Sequence, residues 1–260
     1  MKYIRLITCA VFIITFVVWI GSTLIFSRNA DHEGPVIKAK EDRIVVSIAD
    51  GEDGLKKGLK ATDTKDGDLT DQILIGKQSK FIEKGVSQVE YLVFDSNNNV
   101  GTYSREVVYE DYTSPEFRLS MPLVYRVGEP IQVLDRLSVY DCIRGDISDK
   151  VKIVSSDVDS SKPGVYMMGI EASNQFGDLV SAKVPVSVVE GKYDLSSIEL
   201  SSYFATVKLG SKDWNPRSYL VSDNEGIQVQ SYVDLSNEGC YQVIFSDGSG
   251  YTSLVVMVRE

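Results

Sequence analysis

The sequence predicts an all-β protein: several β-sandwich domains in tandem, preceded by one N-terminal transmembrane helix. Three observations carry this reading. Asp63-Thr64-Lys65-Asp66-Gly67-Asp68-Leu69-Thr70-Asp71 returns 78 residues later as Asp141-Cys142-Ile143-Arg144-Gly145-Asp146-Ile147-Ser148-Asp149. A fixed period of that size marks repeated domains. Downstream of residue 26 the apolar residues alternate with period two between Gly, Pro and Asn turns, with no 3.6-residue period. Upstream, Leu6 to Phe26 is an uncharged apolar run.

That run is 21 residues, roughly 30 Å as a helix, the thickness of a hydrocarbon core. A cleavable signal peptide has a shorter apolar region and a small-x-small exit. Here the run leaves through Phe26-Ser27-Arg28-Asn29-Ala30, so an uncleaved anchor over 6–26 is expected, with 1–5 as a cytoplasmic head. Lys2 and Arg5 precede the span, but Arg28, Lys38, Lys40 and Arg43 follow it, so flanking charge does not set the orientation. A short head and a long β-rich body place the body outside. Trp19 is expected near the outer interface.

Beyond residue 28 the chain carries all 37 acidic residues and 24 of the 27 basic ones, a surplus of 13 negative charges. Nucleic acid, which needs a basic footprint, is excluded as a partner. Cys9, Cys142 and Cys240 lie one per segment and form no disulfide framework. The single histidine, His32, falls in a polar linker over 27–34, which leaves no Ser-His-Asp triad and no histidine metal site.

Three β units follow. The first, 35–111, opens at Pro35, where a strand entry tolerates the missing N–H. After a strand at Arg43–Ile48 and the acidic motif comes Asp71–Ile75, then the strongest strand, Gln88–Asp95, in which Val89, Tyr91 and Val93 share a face. Ser96-Asn97-Asn98-Asn99 turns the chain back into Thr102–Tyr109. The second unit, 112–191, repeats this order through Pro115, the second motif, Pro163-Gly164, and the hairpin turn at Asn174-Gln175-Phe176-Gly177. The third, 192–260, keeps only the last hairpin, Tyr241–Phe245 and Leu254–Val258, around Asp247-Gly248-Ser249-Gly250.

Asp63, Asp66, Gly67, Asp68, Thr70, Gly85, Tyr91 and Asp95 resemble the bacterial immunoglobulin-like domains of tandem surface proteins and pesticidal crystal proteins. The second unit is similar at Ser114-Pro115, Asp141, Gly145, Asp146 and Pro163-Gly164, but has Arg144 where the family usually has Asp. The third is similar only in its final hairpin. The resemblance implies immunoglobulin-like sandwiches used for spacing or adhesion, usually without catalysis.

No catalytic, cofactor-binding or metal-ligating residue is assigned from the sequence. Asp63, Asp66, Asp68 and Asp71 invite calcium, yet the spacing is not an EF-hand. The expected role is structural, with Gly67 and Gly145 making tight turns and the Asp and Thr/Ser side chains satisfying loop N–H groups. Tyr103, Tyr109, Tyr112 and Tyr125 are read as exposed aromatics flanking the units. Trp214 is a loop residue that can stack on a sugar or cap its own domain. The expected partners are the lipid bilayer through residues 6–26 and an envelope protein or glycan. The expected role is a non-catalytic spacer or adhesin at the cell membrane, with a subunit of an envelope complex or a carbohydrate-binding module as alternatives.

Overall fold

The computed structural model describes residues 2–29, 33–223 and 225–260. His32, and with it part of the 27–34 linker, lies outside them, as does the side chain of Cys9. The chain is mostly β-sheet, and it divides into two compact units: residues up to Ser79 with Val86–Val108, and Lys80–Gly85 with Tyr109–Glu260.

In the first unit, helix α1 (Lys2–Asn29) covers the expected span. Its described side chains are continuous only over 10–22. Among the described residues no helix is long and apolar enough to cross a membrane. Strands β1 (Val36–Ala39) and β2 (Arg43–Val46) follow, then a short helix α2 (Gly51–Lys56) that the absence of helical period did not predict. A 3-10 turn, Ile48–Asp50, leads directly into it and carries a local signal of its own. Ser47 and Asp50 form a capping box, the Ser47 hydroxyl accepting from the Ala49 N–H at 3.1 Å and the Asp50 carboxylate from the Ser47 N–H at 3.2 Å.

Strands β3 (Leu59–Asp63), β4 (Gly67–Asp68), β5 (Leu74–Gln78), β6 (Val86–Phe94) and β7 (Val100–Tyr109) complete this part of the chain. One sheet has the order β1-β3-β4 and the other β2-β7-β6-β5. The alternation in β6 has its expected effect: Val89, Tyr91 and Val93 are fully buried. Gly101 faces Val93 across the β6–β7 ladder, and a Cβ there would lie 2.0 Å from the Pro35 carbonyl oxygen. The position accepts no side chain.

A charge sits inside this core. Arg105, on β7, is 1% exposed. Its Nη2 donates to the carbonyls of Leu55 at 2.7 Å and Lys57 at 2.9 Å, and its Nε to the Tyr91 hydroxyl at 3.3 Å. The Tyr91 hydroxyl donates in turn to Leu55 at 2.6 Å. The guanidinium thus closes the C-terminal end of α2, where unpaired carbonyls and the helix dipole favour a cation.

The second unit contains β8 (Glu116–Leu119), β9 (Val124–Arg126), β10 (Leu137–Asp141), β11 (Gly145–Asp146), β12 (Lys152–Ser156), β13 (Gly164–Ser173) and β14 (Leu179–Val189). Their sheets, β11-β10-β8 and β12-β13-β14-β9, repeat the orders of the first unit. The bulges repeat too, between Ile75 and Gln78 in β5 and between Ile153 and Ser155 in β12. The remaining strands, β15 (Phe204–Lys208), β16 (Gln228–Ser231), β17 (Gly239–Ser246) and β18 (Tyr251–Arg259), form one sheet of order β15-β18-β17-β16.

Residues of the third repeat enter the core of the second. Phe204, Val255 and Met257 belong to the same hydrophobic cluster as Phe117, Ile170 and Val186, with the Phe117 and Phe204 rings 6.1 Å apart. Gln242 Nε2 donates to the Ser187 hydroxyl at 2.7 Å, both residues buried. A second cluster, including Val243, Phe245, Leu254 and Val256, fills the other face of the last sheet.

Arg105→Met keeps the volume and removes the donors, leaving the Lys57 carbonyl without the guanidinium and the Leu55 carbonyl with the Tyr91 hydroxyl alone. The expected loss is about 2–4 kcal/mol in urea unfolding of the first unit. A change below about 0.5 kcal/mol would show that the guanidinium does not close the α2 loop.

Candidate functional site

The repeated acidic motif forms the same turn twice. Asp63 ends β3, and its Oδ1 accepts from the N–H groups of Lys65 at 2.8 Å and Asp66 at 2.9 Å. Asp141 ends β10 and accepts from Ile143 at 3.1 Å and Arg144 at 2.8 Å. Gly67 and Gly145 follow at φ 77° and 78°, left-handed backbone that favours glycine. Asp68 then accepts from the Thr70 N–H and Asp146 from the Ser148 N–H, each at 2.9 Å. The Thr70 and Ser148 hydroxyls accept from the N–H groups of Ala61 at 3.1 Å and Val139 at 3.0 Å, tying each motif to the preceding strand. These acids do what the structural reading expected of them. Among the described residues no group of three or more His, Cys, Asp or Glu is arranged to hold a metal ion.

A hairpin cap adjoins each turn. Asp95 accepts from the N–H groups of Asn97 and Asn99, both at 2.8 Å, with Asn98 at φ 64°. In the second repeat Asn174 Oδ1 accepts from Phe176 and Asp178, both at 3.0 Å. The Asn174 amide donates to Asp141 Oδ2 at 2.8 Å and to the Tyr112 hydroxyl at 2.9 Å, and that hydroxyl donates to Asp178 at 2.6 Å. Burial, then the Asp178 carboxylate, pushes the Tyr112 phenol well above its ordinary value. Phe81 stacks on Phe176 at 4.6 Å and meets Tyr112 edge-on at 4.7 Å, closing the network on its apolar side.

The flanking tyrosines are not the exposed set that sequence position implied. Tyr109 and Tyr125 are buried, while Tyr103 and Tyr112 are partly buried. Tyr125 lies under the Arg136 guanidinium at 4.1 Å, and Tyr103 donates to Asp42 at 2.6 Å. Hydrogen-bond partners and a cation draw these rings inward, which alternation alone does not show.

Trp214 sits in a loop, as expected, but packs against the last core with its ring 6.5 Å from Tyr219. Its indole N–H is buried without a hydrogen-bond partner. Asn215 caps the following turn by accepting from the Arg217 N–H at 3.0 Å. A cavity of about 490 Å3 opens beside it, lined by Thr206, Lys208, Ser211, Asp213 and Trp214 among others. Cys142 and Cys240 are free. The Cys142 thiol donates to the Thr113 carbonyl at 3.1 Å, and burial pushes the Cys240 thiol up to about 11.

No protein-family model matches the chain. A relative, the pesticidal crystal protein Cry22Aa of Bacillus thuringiensis, is 26% identical over 197 residues. The match takes in 72% of this chain and 27% of that protein, so the chain spans about a quarter of its relative's length. Among solved structures, the M60 catalytic domain with CBM51-1 and CBM51-2 of Clostridium perfringens ZmpB aligns at 12% identity and a TM-score of 0.27. That alignment covers 65% of this chain and 32% of the other. CBM51-2 in complex with GlcNAc, with INT domains, from the same protein gives 18% identity and 0.24, covering 87% and 42%. The surface layer protein SbsC, domains 1–6, gives 13% and 0.21, covering 89% and 41%. Likeness at these scores carries no argument about this chain.

Asp141→Ala strips the acceptor from two turn amides and from Asn174. Urea unfolding of the second unit is expected to lose roughly 2–4 kcal/mol, and a loss near zero would remove the motif's structural role. The turns also set a pH dependence. Bonds from the side chain and then the N–H of Thr70 hold the Asp68 carboxyl below its ordinary value of 3.8, and Ser148 does the same for Asp146. Folded values below the unfolded ones give stability that is complete above 3.8 and is lost as pH falls through the lowered values. The double variant Thr70→Val, Ser148→Ala should therefore be less stable at neutral pH and show a flatter decline below 3.8. An unchanged slope would assign the acid sensitivity to other carboxylates.

Proposed function

We propose that this chain is a non-catalytic spacer or adhesion arm outside a cell membrane, anchored through residues 6–26, its body built from immunoglobulin-like sandwiches over 35–111, 112–191 and 192–260. The observation that carries this reading is the commitment of both acidic motifs to their own turns. Asp63, Asp68, Asp141 and Asp146 each accept backbone N–H bonds, and their bonding repeats from one motif to the next. Residues spent in this way build a domain rather than carry out a reaction. The anchor is supported by the uncharged run 6–26 and by α1, where Phe12, Ile14, Val18 and Trp19 are 60% exposed or more. Apolar side chains open on all faces of a helix call for lipid or protein cover.

A second reading, a carbohydrate-binding module, is favoured by the cavity beside Trp214, where hydroxyl, carboxylate and ammonium groups meet an indole. In that reading the glycan is the partner and the anchor presents it outward.

Protease added to intact cells that carry an N-terminal tag tests the first reading. Loss of the body, with a short tagged fragment kept in the membrane fraction, is expected. A body protected until the cells are opened would refute the outside placement, and a full chain extracted without detergent would refute the anchor. For the second reading, full chain in detergent micelles on immobilised glycans should lose binding at least tenfold in Trp214→Ala. Equal binding by that variant would remove the cavity as the glycan site.

A further inference from the structure

The first two repeats differ on the outer face of their smaller sheet. Strand β1 sets Val36, Lys38 and Lys40 outward around a buried Ile37, and β3 sets Lys60 and Thr62 outward between buried Leu59 and Ala61. The strands pair antiparallel, with Lys38 directly opposite Lys60 and Val36 opposite Thr62. The Lys40 N–H donates to the Gly58 carbonyl at 3.2 Å, which carries the pairing one residue further.

Three lysines thus share one exposed face, in a chain whose residues beyond 28 carry a surplus of 13 negative charges. Among the described residues none of the three lies in an ion pair. Asp68, opposite Thr62, is the nearest acid on this face, and its carboxylate accepts from the Thr70 N–H at 2.9 Å. Like charges directly opposite across a ladder weaken it, so the row works against the fold unless an anion covers it.

The second repeat lacks the row. There the same register puts Arg118 opposite Ser138 and Glu116 opposite Tyr140. The Ser120 N–H donates to the Arg136 carbonyl at 2.9 Å, as Lys40 does to Gly58. Lys38, Lys40 and Lys60 are therefore matched by Arg118, Ser120 and Ser138. The guanidinium kept there lies on the Tyr140 ring at 4.5 Å, and Glu116 beside it has Arg259 at 3.9 Å. The basic face belongs to the repeat that follows the helix in sequence and not to its copy.

Chain length indicates what covers it. Helix α1 ends at Asn29 and β1 begins at Val36, seven residues on, a reach of about 25 Å at full stretch. With the helix in a bilayer, the face is tethered beside the headgroups at high effective concentration. Val36, 52% exposed, adds an apolar side chain to the face at its end nearest the helix in sequence.

We propose that this face docks on the anionic headgroups of the bilayer that holds the helix, with Lys38, Lys40 and Lys60 toward the lipid phosphates. The proposal rests on the anchor reading. Screening acts over about 8 Å at physiological salt, so the contact is close and salt-sensitive.

Lysine reactivity in the full chain tests it. The chain is placed in lipid discs of phosphatidylcholine, alone or mixed with phosphatidylglycerol, and its lysines are acetylated and read by mass spectrometry. Co-purification with the discs after detergent removal reports insertion separately. Lys38, Lys40 and Lys60 are expected to react more slowly by about fivefold or more on the anionic discs. They should recover at about 1 M salt, where the Debye length is about 3 Å. Exposed Lys152 and Lys212 should keep their rates. Equal rates at the three lysines on both kinds of disc, in chains that co-purify, overturn the docking and leave the anchor standing. A slowing of Lys152 and Lys212 as large as theirs overturns the assignment to this face. Slowing by soluble polyphosphate on neutral discs, with none on anionic ones, gives the face to a dissolved polyanion and overturns the bilayer as its partner. Chains that stay with neither disc refute the anchor, and the proposal with it.

Discussion

At the end of β3, and again at the end of β10, one aspartate oxygen accepts two consecutive backbone N–H groups, and the chain can turn sharply without leaving those amides unpaired. Much else hangs on that contact. It positions Gly67 and Gly145 in left-handed backbone and starts the short strands β4 and β11. It also brings Thr70 and Ser148 back onto the preceding strand. Leu69 and Ile147, next to those hydroxyls, are thereby turned into the core. A loop dense in carboxylates thus becomes a means of burying two aliphatic side chains, with the hydrogen-bonding need of the backbone supplying the direction.

The second aspartate oxygen is where the repeats diverge. In the second repeat it joins a closed network through Asn174, Tyr112 and Asp178, sealed by Phe81 and Phe176. Buried polar networks of this kind are stable when every member has a partner and costly when one does not. In the first repeat Asp95 stands where the second has Asn174 and its Oδ2 accepts from the Asn99 amide at 2.7 Å, while Asp63 Oδ2 is buried without a partner. Matching turns thus end in different side-chain networks.

Legibility in the sequence followed the range of the interactions. Turns were legible because their chemistry is local: the Asp and Gly positions of the motif, and Asn98 at positive φ, are set within a few residues. Strands with one buried face, such as Gln88–Asp95, were legible from alternation. Helix α2 was not, because six residues are too few to show a period, although Ser47 and Asp50 carried the cap of the 3-10 turn that leads into it. Arg105 was missed although it falls in step with Tyr103 and Val107, on the inward face; a charge there was a sign of buried carbonyls. The candidate aromatics Tyr109 and Tyr125 misled because their burial depends on residues far away in the chain.

The apolar run Leu254–Val258 held a signal of another kind. All five residues are buried, so β18 is covered on both faces, with Leu254, Val256 and Val258 in one cluster and Val255 and Met257 in the other. A strand that serves two cores removes the independence that a repeat pattern implies. Cutting the chain between the second and third repeats would open the core around Phe117 to water, and no single repeat could be transplanted from this region without a new surface being made for it. For recombination, and for anyone exchanging parts of such proteins, the smallest portable piece of residues 109–260 is the pair.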